Sequence, residues 1–188
     1  WSNAAFWLCA GALGHEVRCE NLLPSSTQGD RAVAALLTQM GARITCNKHF
    51  VHAAPVPLSA INIDASKIPD LIPVLCVVAS VSAGHTRIYN AARLRLKECD
   101  RLHATAEALA ALGARIEERG DELHIEGVAH LRGGEVQGYN DHRMVMSMAI
   151  AASVCQAPVI IRGAQAIEKS YPRFFEDYQQ LGGNVHVL

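Results

Sequence analysis

No excess of charge of either sign marks this sequence: 17 lysines and arginines stand against 18 aspartates and glutamates, a net charge of −1 over 188 residues. The broad basic footprint of a nucleic-acid binder is therefore missing. Long apolar runs are missing too. WSNAAFWLCAGAL and LIPVLCVVASVSA, the most apolar stretches, fall short of the about 20 residues that span a bilayer, and Pro73 breaks the second. No basic segment precedes either, so no signal peptide is read. The six cysteines show no CxxC spacing, and most lie in apolar runs, where buried free thiols are common. This predicts a reducing, cytoplasmic setting and no zinc site. His49 and His52 are the one metal-like pair, and a spacing of three in a strand turns them to opposite faces.

What the chain does have is internal repetition. GDRAVAALLTQMGARITC (29–46) returns as CDRLHATAEALAALGARIEE (99–118), and more weakly as YPRFFEDYQQLGGNVHV (171–187). Gly41, Gly113 and Gly182 each stand between an amphipathic helix and a strand, where a helix C-terminus favours glycine. The period of roughly 70 residues exceeds that of solenoid repeats. Each repeat also holds a helix that is apolar nearly all round, at residues 4–13, 70–83 and 144–155. Such helices are buried on every side. INIDA, ARIEE, ELHIE and NVHVL instead alternate apolar with polar residues, as strands with one wet face do. The pattern predicts an α+β domain turned inside out, with three units packing their helices inward and their sheets outward. INIDA (61–65) and EVQGYN (135–140) lead the second and third units, and the first unit lacks a counterpart. A single domain over residues 1–188 is expected, with its first strand missing.

The chemistry gathers at turns before helices. KIPDLIP sets Asp70 near the first turn of an apolar helix behind Pro69, where an N-cap carboxylate alone would explain it. YNDHRMVM offers Asn140 or Asp141 as a cap and places Arg143 in the first turn; EKSYPRFF offers Ser170, with Lys169 just before it. In RLKECDR (95–101) five of seven residues are charged, and Lys97, Glu98 and Arg101 surround the expected cap Asp100. A cation at a helix N-terminus costs roughly 0.3–1 kcal/mol against the dipole. Two arrangements would offset it. Converging helix starts and their cations would bind an anionic ligand, or neighbouring carboxylates such as Glu98 and Asp100 would neutralise the charge locally.

RLKECDRL, YNDHRMVMSMAIAA, EKSYPRFF, STQGDR and IPD together resemble, in order and spacing, the C-terminal domain of the 5-enolpyruvylshikimate-3-phosphate synthase family. The resemblance extends over essentially the whole chain, and the pairing of KE-x-DR with DHRM carries its specificity. It implies transfer of the enolpyruvyl group of phosphoenolpyruvate to the 5-hydroxyl of shikimate 3-phosphate, with release of phosphate. It also implies a fold of three βαβαββ units per domain and a cleft shared with an N-terminal domain. Carried over by motif, Arg101, Arg143 and Lys169 would grip phosphoenolpyruvate, and Lys97 would contact shikimate 3-phosphate. Asp70 would take the proton of the attacking hydroxyl, and Glu98 would take part in proton transfer at the enolpyruvyl carbon. Arginine suits such anions because its planar fork binds them bidentately and keeps its charge. No metal or organic cofactor, nucleic acid or membrane partner is implied, and a monomer is expected.

Two departures stand out. Cys99 occupies a position where the family usually has Ser or Thr, and a thiol is the weaker hydrogen-bonding group, so softer capping is expected there. NAARLR also departs from the commoner family wording, and Arg93 receives no ligand role. UDP-N-acetylglucosamine enolpyruvyl transferase shares fold and chemistry, but the paired motifs favour the shikimate enzyme. A non-catalytic anion-binding or structural module is the other alternative. Against it stands the intact set of Asp70, Glu98, Arg101, Arg143 and Lys169.

Overall fold

The repeats of the sequence reappear as three successive units in the computed structural model, which describes residues 1–186. The first holds α1 (Ala4–Leu13), β1 (Val17–Glu20), α2 (Ala32–Gln39), β2 (Arg43–Cys46) and β3 (Phe50–Ala54). The second holds β4 (Ile63–Asp64), α3 (Ile72–Ser80), β5 (His85–Tyr89), α4 (Arg101–Ala111), β6 (Arg115–Arg119) and β7 (Glu122–Glu126). The third holds β8 (Gly134–Gln137), α5 (His142–Ala152), β9 (Val159–Arg162) and α6 (Phe174–Gln180).

Helices α1, α3 and α5 are the apolar ones, and each packs against the other two at the centre. Every residue of α3 is buried, as are Ala5–Ala12 of α1 and Met144–Ala151 of α5. Helix α3 begins at Ile72 rather than residue 70, with Pro73 in its first turn, where the fixed φ of proline fits and its missing N–H costs nothing. Helix α5 begins two residues earlier than the apolar run because Asp141 caps it. Phe174 of α6 closes the core, fully buried and stacked on Trp7 at 4.9 Å between ring centroids.

The sheets lie outside, one to a unit, with orders β1-β3-β2, β4-β5-β7-β6 and β8-β9. Strands β4 and β8 run parallel to β5 and β9, and the remaining pairs are antiparallel. Alternation decides which face is wet: Leu123 and Ile125 of β7 point into the core between the less buried Glu122, His124 and Glu126. The arrangement is the inverted α+β domain that the apolar helices predict.

Local geometry repeats with the units. Gly41, Gly113 and Gly182 follow α2, α4 and α6 at φ of +99°, +95° and +96°, where a side chain would be strained. After each glycine, the next residue donates its N–H to the carbonyl five residues back: Ala42 to Leu37, Ala114 to Leu109 and Gly183 to Tyr178, all at 2.9 Å. These are three Schellman caps. NVHVL departs from expectation. Residues 184–186 form no strand, and the last two residues lie outside the described ones. Alternation permits a strand, but backbone N–H and C=O groups need a pairing neighbour, and among the described residues none pairs there.

Candidate functional site

The starts of α3, α4 and α5 meet the 3-10 turn Gly29–Arg31 at one end of the domain, and charged side chains fill the space between them. Arg101 is the first residue of α4. Asp100 caps that helix by accepting from the His103 N–H at 3.1 Å, and the Arg101 side chain turns inward until only 1% of it is exposed. Its guanidinium donates Nε to Asp141 Oδ2 at 2.7 Å, Nη1 to Asp70 Oδ1 at 2.7 Å, and Nη2 to Asp141 Oδ1 at 3.2 Å and to Glu98. Burying an arginine is costly unless its donors are met, and here three carboxylates meet them.

Asp141 is the residue that ties the cluster together. Its side chain is fully buried, clamps Arg101 from one side, and accepts from the Arg143 N–H at 2.8 Å as the N-cap of α5. One carboxylate thus sets the register of two arginines on different helices. Its placement comes from the turn Gly138–Asp141, in which Tyr139 and Asn140 take φ of +51° and +52° and the Asp141 N–H returns to the Gly138 carbonyl at 2.9 Å. Left-handed conformations at non-glycine residues cost on the order of 1 kcal/mol or more each, a cost that a cap and a buried ion pair offset. The same turn offers the Asn140 carbonyl to Lys169 Nζ at 2.5 Å, which holds Lys169, exposed at the end of the 3-10 stretch Ala164–Lys169, beside the start of α5.

Lys97 reaches Asp70 Oδ1 at 3.0 Å. Arg143 donates Nη1 to the Asp70 carbonyl at 3.2 Å and lies between two further acids, with Nη2 at 3.8 Å from Asp70 Oδ2 and 3.9 Å from Asp30 Oδ2. Asp30 is buried and also accepts from Ser2 Oγ. All six residues singled out from sequence therefore border one region: Asp70, Lys97, Glu98, Arg101 and Arg143 in contact, and Lys169 at its rim. Sequence reasoning missed Asp30 as a partner of Arg143 and saw Asp141 only as a possible cap. The STQGDR and YNDHRM motifs contain both, but which cation each faces is a tertiary matter.

Two expectations need correction. Asp70 does not cap α3: Leu71 holds that position without a side-chain bond, and the Asp70 carboxylate is taken by cations instead. Ser170 does not cap α6, which starts at Phe174 behind Arg173. The charge at the entrance to α4 is likewise met by acids. Arg95 is held by Asp100 at 2.9 Å, Glu118 at 2.6 Å and Asp121 at 3.0 Å, which fastens the loop carrying Lys97 and Glu98 to the β6–β7 hairpin. The cluster is balanced rather than a bare positive patch. Cys99 is no cap either. Its Sγ lies 3.6 Å from Asp141 Oδ2, and burial, aided by that carboxylate, pushes the thiol up to about 12, so it stays a protonated donor.

Burial pushes the Asp70 carboxyl upward, but Arg143, Lys97 and Arg101 outweigh burial and hold it below the ordinary aspartate value. Asp141 follows the same balance, with Arg101 as the dominant counterion. His142, 12% exposed in its side chain, has a buried Nδ1 that finds no hydrogen-bond partner among the described residues and lies 4.0 Å from Glu98 Oε1. Burial lowers its imidazole below the usual 6.5, a shift only partly opposed by Asp141. A depressed histidine in the folded state means that the unfolded chain binds the proton first. Its contribution to stability is whole above about pH 6.5 and declines as pH falls toward the folded value. The melting temperature should therefore drop between pH 7.5 and 5.5, and His142→Gln should flatten that part of the curve.

The family pattern described as EPSP synthase (3-phosphoshikimate 1-carboxyvinyltransferase) matches residues 1–178. The chain belongs to that family. It is 48% identical over 191 aligned residues to the 3-phosphoshikimate 1-carboxyvinyltransferase of Clostridium acetobutylicum, covering 99% of this chain and 43% of that protein. It is 50% identical over 184 residues to the enzyme of that name from Clostridium perfringens strain 13, covering 97% and 43%. A solved EPSP synthase from Acinetobacter baumannii superposes with a TM-score of 0.84 at 27% identity, over all of this chain and 46% of that one. The chain thus spans about half the length of the relatives it matches. As a member of the EPSP synthase family, it presents its charged cluster at the end of the domain where the helix starts converge, and no helix among its described residues is long and apolar enough to cross a membrane.

Proposed function

We propose that this domain supplies one face of a two-domain cleft in which the enolpyruvyl group of phosphoenolpyruvate passes to the 5-hydroxyl of shikimate 3-phosphate. The observation that carries the reading is the convergence of Asp70, Lys97, Glu98, Arg101 and Arg143 from three helix starts into one contiguous cluster. Both substrates are anions, and the cluster supplies two arginines and a lysine, with Lys169 at the rim. Arg101, Arg143 and Lys169 take the phosphate and carboxylate of phosphoenolpyruvate, and Lys97 takes shikimate 3-phosphate. Asp70 accepts the proton of the attacking hydroxyl, a role supported by the third of its side chain that is open to solvent. Glu98, similarly open, works on the proton that enters and leaves the enolpyruvyl methylene carbon. Attack of the hydroxyl oxygen on that substrate's C2 forms the new C–O bond while the methylene gains a proton. Loss of that proton and of phosphate then restores the double bond. Asp141 holds the Arg101 side chain and caps the helix on which Arg143 sits, so the reacting groups meet a frame whose backbone is already set.

Half a cleft cannot supply the full set of contacts, so the chain by itself should release no measurable phosphate from the two substrates. Adding the N-terminal half of a clostridial relative should restore turnover. Turnover by the chain alone, or none with a folded partner half that binds it, would overturn the reading. Substitution of UDP-N-acetylglucosamine for shikimate 3-phosphate in the same assay should give no reaction.

A further inference from the structure

Three cations and four carboxylates make up the cluster: Lys97, Arg101 and Arg143 against Asp30, Asp70, Glu98 and Asp141. With Lys169 at the rim the charges balance, so an arriving anionic ligand finds the cations already taken by carboxylates, in a place partly closed to water where like charges repel strongly. One carboxylate has to give way. Asp141 cannot, being fully buried and bonded both to Arg101 and to the start of α5. Asp30 is buried as well, with Ser2 as its partner. Asp70 and Glu98 remain, with 34% and 39% of their side chains exposed. Of these, Asp70 is the one that all three cations share, at 2.7 Å from Arg101, 3.0 Å from Lys97 and 3.8 Å from Arg143. An oxygen in that position lies within reach of cations from three separate segments, which is where a bound phosphate or carboxylate oxygen would gain most.

We propose that the Asp70 carboxylate is a built-in stand-in for the ligand anion, and that a substrate phosphate or carboxylate binds by exchange, drawing Lys97, Arg143 and Nη1 of Arg101 away from Asp70 and releasing it. The proposal rests on the reading of the site given above and adds the order of events. Clasped by three cations, Asp70 is a poor base, as its depressed carboxyl indicates. Released, it regains basicity when the substrate is in place. Ligand binding thereby switches on the group that takes the proton of the hydroxyl. The exchange makes and breaks no covalent bond, and Arg101 keeps Asp141 throughout.

The test is inorganic phosphate binding to the 188-residue chain, measured by titration calorimetry at constant ionic strength and neutral pH. Asp70→Asn, which keeps the shape and removes the competing charge, should bind phosphate about ten-fold more tightly than wild type, or about 1.4 kcal/mol. Adding Arg143→Ala to that variant should remove the gain. Glu118→Gln, which deletes a carboxylate from the separate Arg95 cluster, should leave phosphate affinity unchanged. In the wild-type chain, carbon-13 NMR should show the Asp70 carboxyl titrating at higher pH when phosphate saturates the site, a readout that requires no substitution. Equal or weaker binding by Asp70→Asn, an equal gain in Glu118→Gln, or an Asp70 carboxyl indifferent to phosphate would each overturn the exchange. The paired-domain turnover assay separates the two ideas. If turnover persists while the exchange signals are absent, only the exchange falls, and loss of turnover itself would remove the underlying reading.

Discussion

Asp141→Ala should cost about 3–5 kcal/mol of folding stability, read as a fall in the urea midpoint at unchanged slope. The substitution leaves Arg101 buried without the carboxylate that meets its Nε and one face of its fork. Asp70 and Glu98 still neutralise part of the charge, which favours the low end of the range, but the loss of the α5 cap adds about 1 kcal/mol. Asp141→Asn keeps the size and the cap and should fall between the variant and wild type. The sign of the pH dependence is set by the depressed Asp141 carboxyl. Its contribution is present above the unfolded value near pH 4 and is lost as pH falls through the folded one, so wild type and Asp141→Asn should converge in acid. Replacing both Arg101 and Asp141 by apolar residues of similar volume should restore much of the stability while removing the frame on which the anion site depends. That outcome would identify the pair as a feature kept for positioning.

In the chain paired with an N-terminal half, Asp70→Asn should lower kcat by about 10²–10⁴-fold, the usual range for removing a general base. The amide keeps the shape of the side chain and can still hydrogen-bond, but it cannot accept the proton of the attacking hydroxyl. Phosphate affinity should rise in the same variant, for the reason given above. Tighter anion binding with slower turnover is an opposing pair of changes that neither misfolding nor a general weakening of the site produces. Steady-state kinetics with shikimate 3-phosphate varied would show kcat falling without a matching rise in KM. A variant with unchanged kcat would remove Asp70 from proton transfer.

Sequence alone determined the architecture in large part. Residues 4–13 predict α1 to the residue, because a helix with apolar groups on every side has nowhere to go but the centre. Gly41, Gly113 and Gly182 mark three helix ends because the left-handed conformation there suits glycine and little else. Lys97, Arg101 and Arg143 were legible as cations at or just before helix starts, where the dipole disfavours them, while the roles of Asp70, Glu98 and Lys169 came from the family motifs. Pairing in space was not legible. Arg101 and Asp141 lie 40 residues apart and belong to different units, and Arg143 finds Asp30 from the first unit only because the helix starts converge. The alternation of NVHVL points to a strand, yet residues 184–186 form none, since pairing is a property of two segments and alternation of one. Local chemistry sets which residues begin and end each element, because those preferences act within a few residues. Glu98 and Asp100 neutralise cations within five residues of themselves. The pairing of Arg101 with Asp70 and Asp141 and of Arg143 with Asp30, however, was decided by tertiary structure, because Coulomb energy between segments depends on how the helices are packed and not on where their residues fall along the chain.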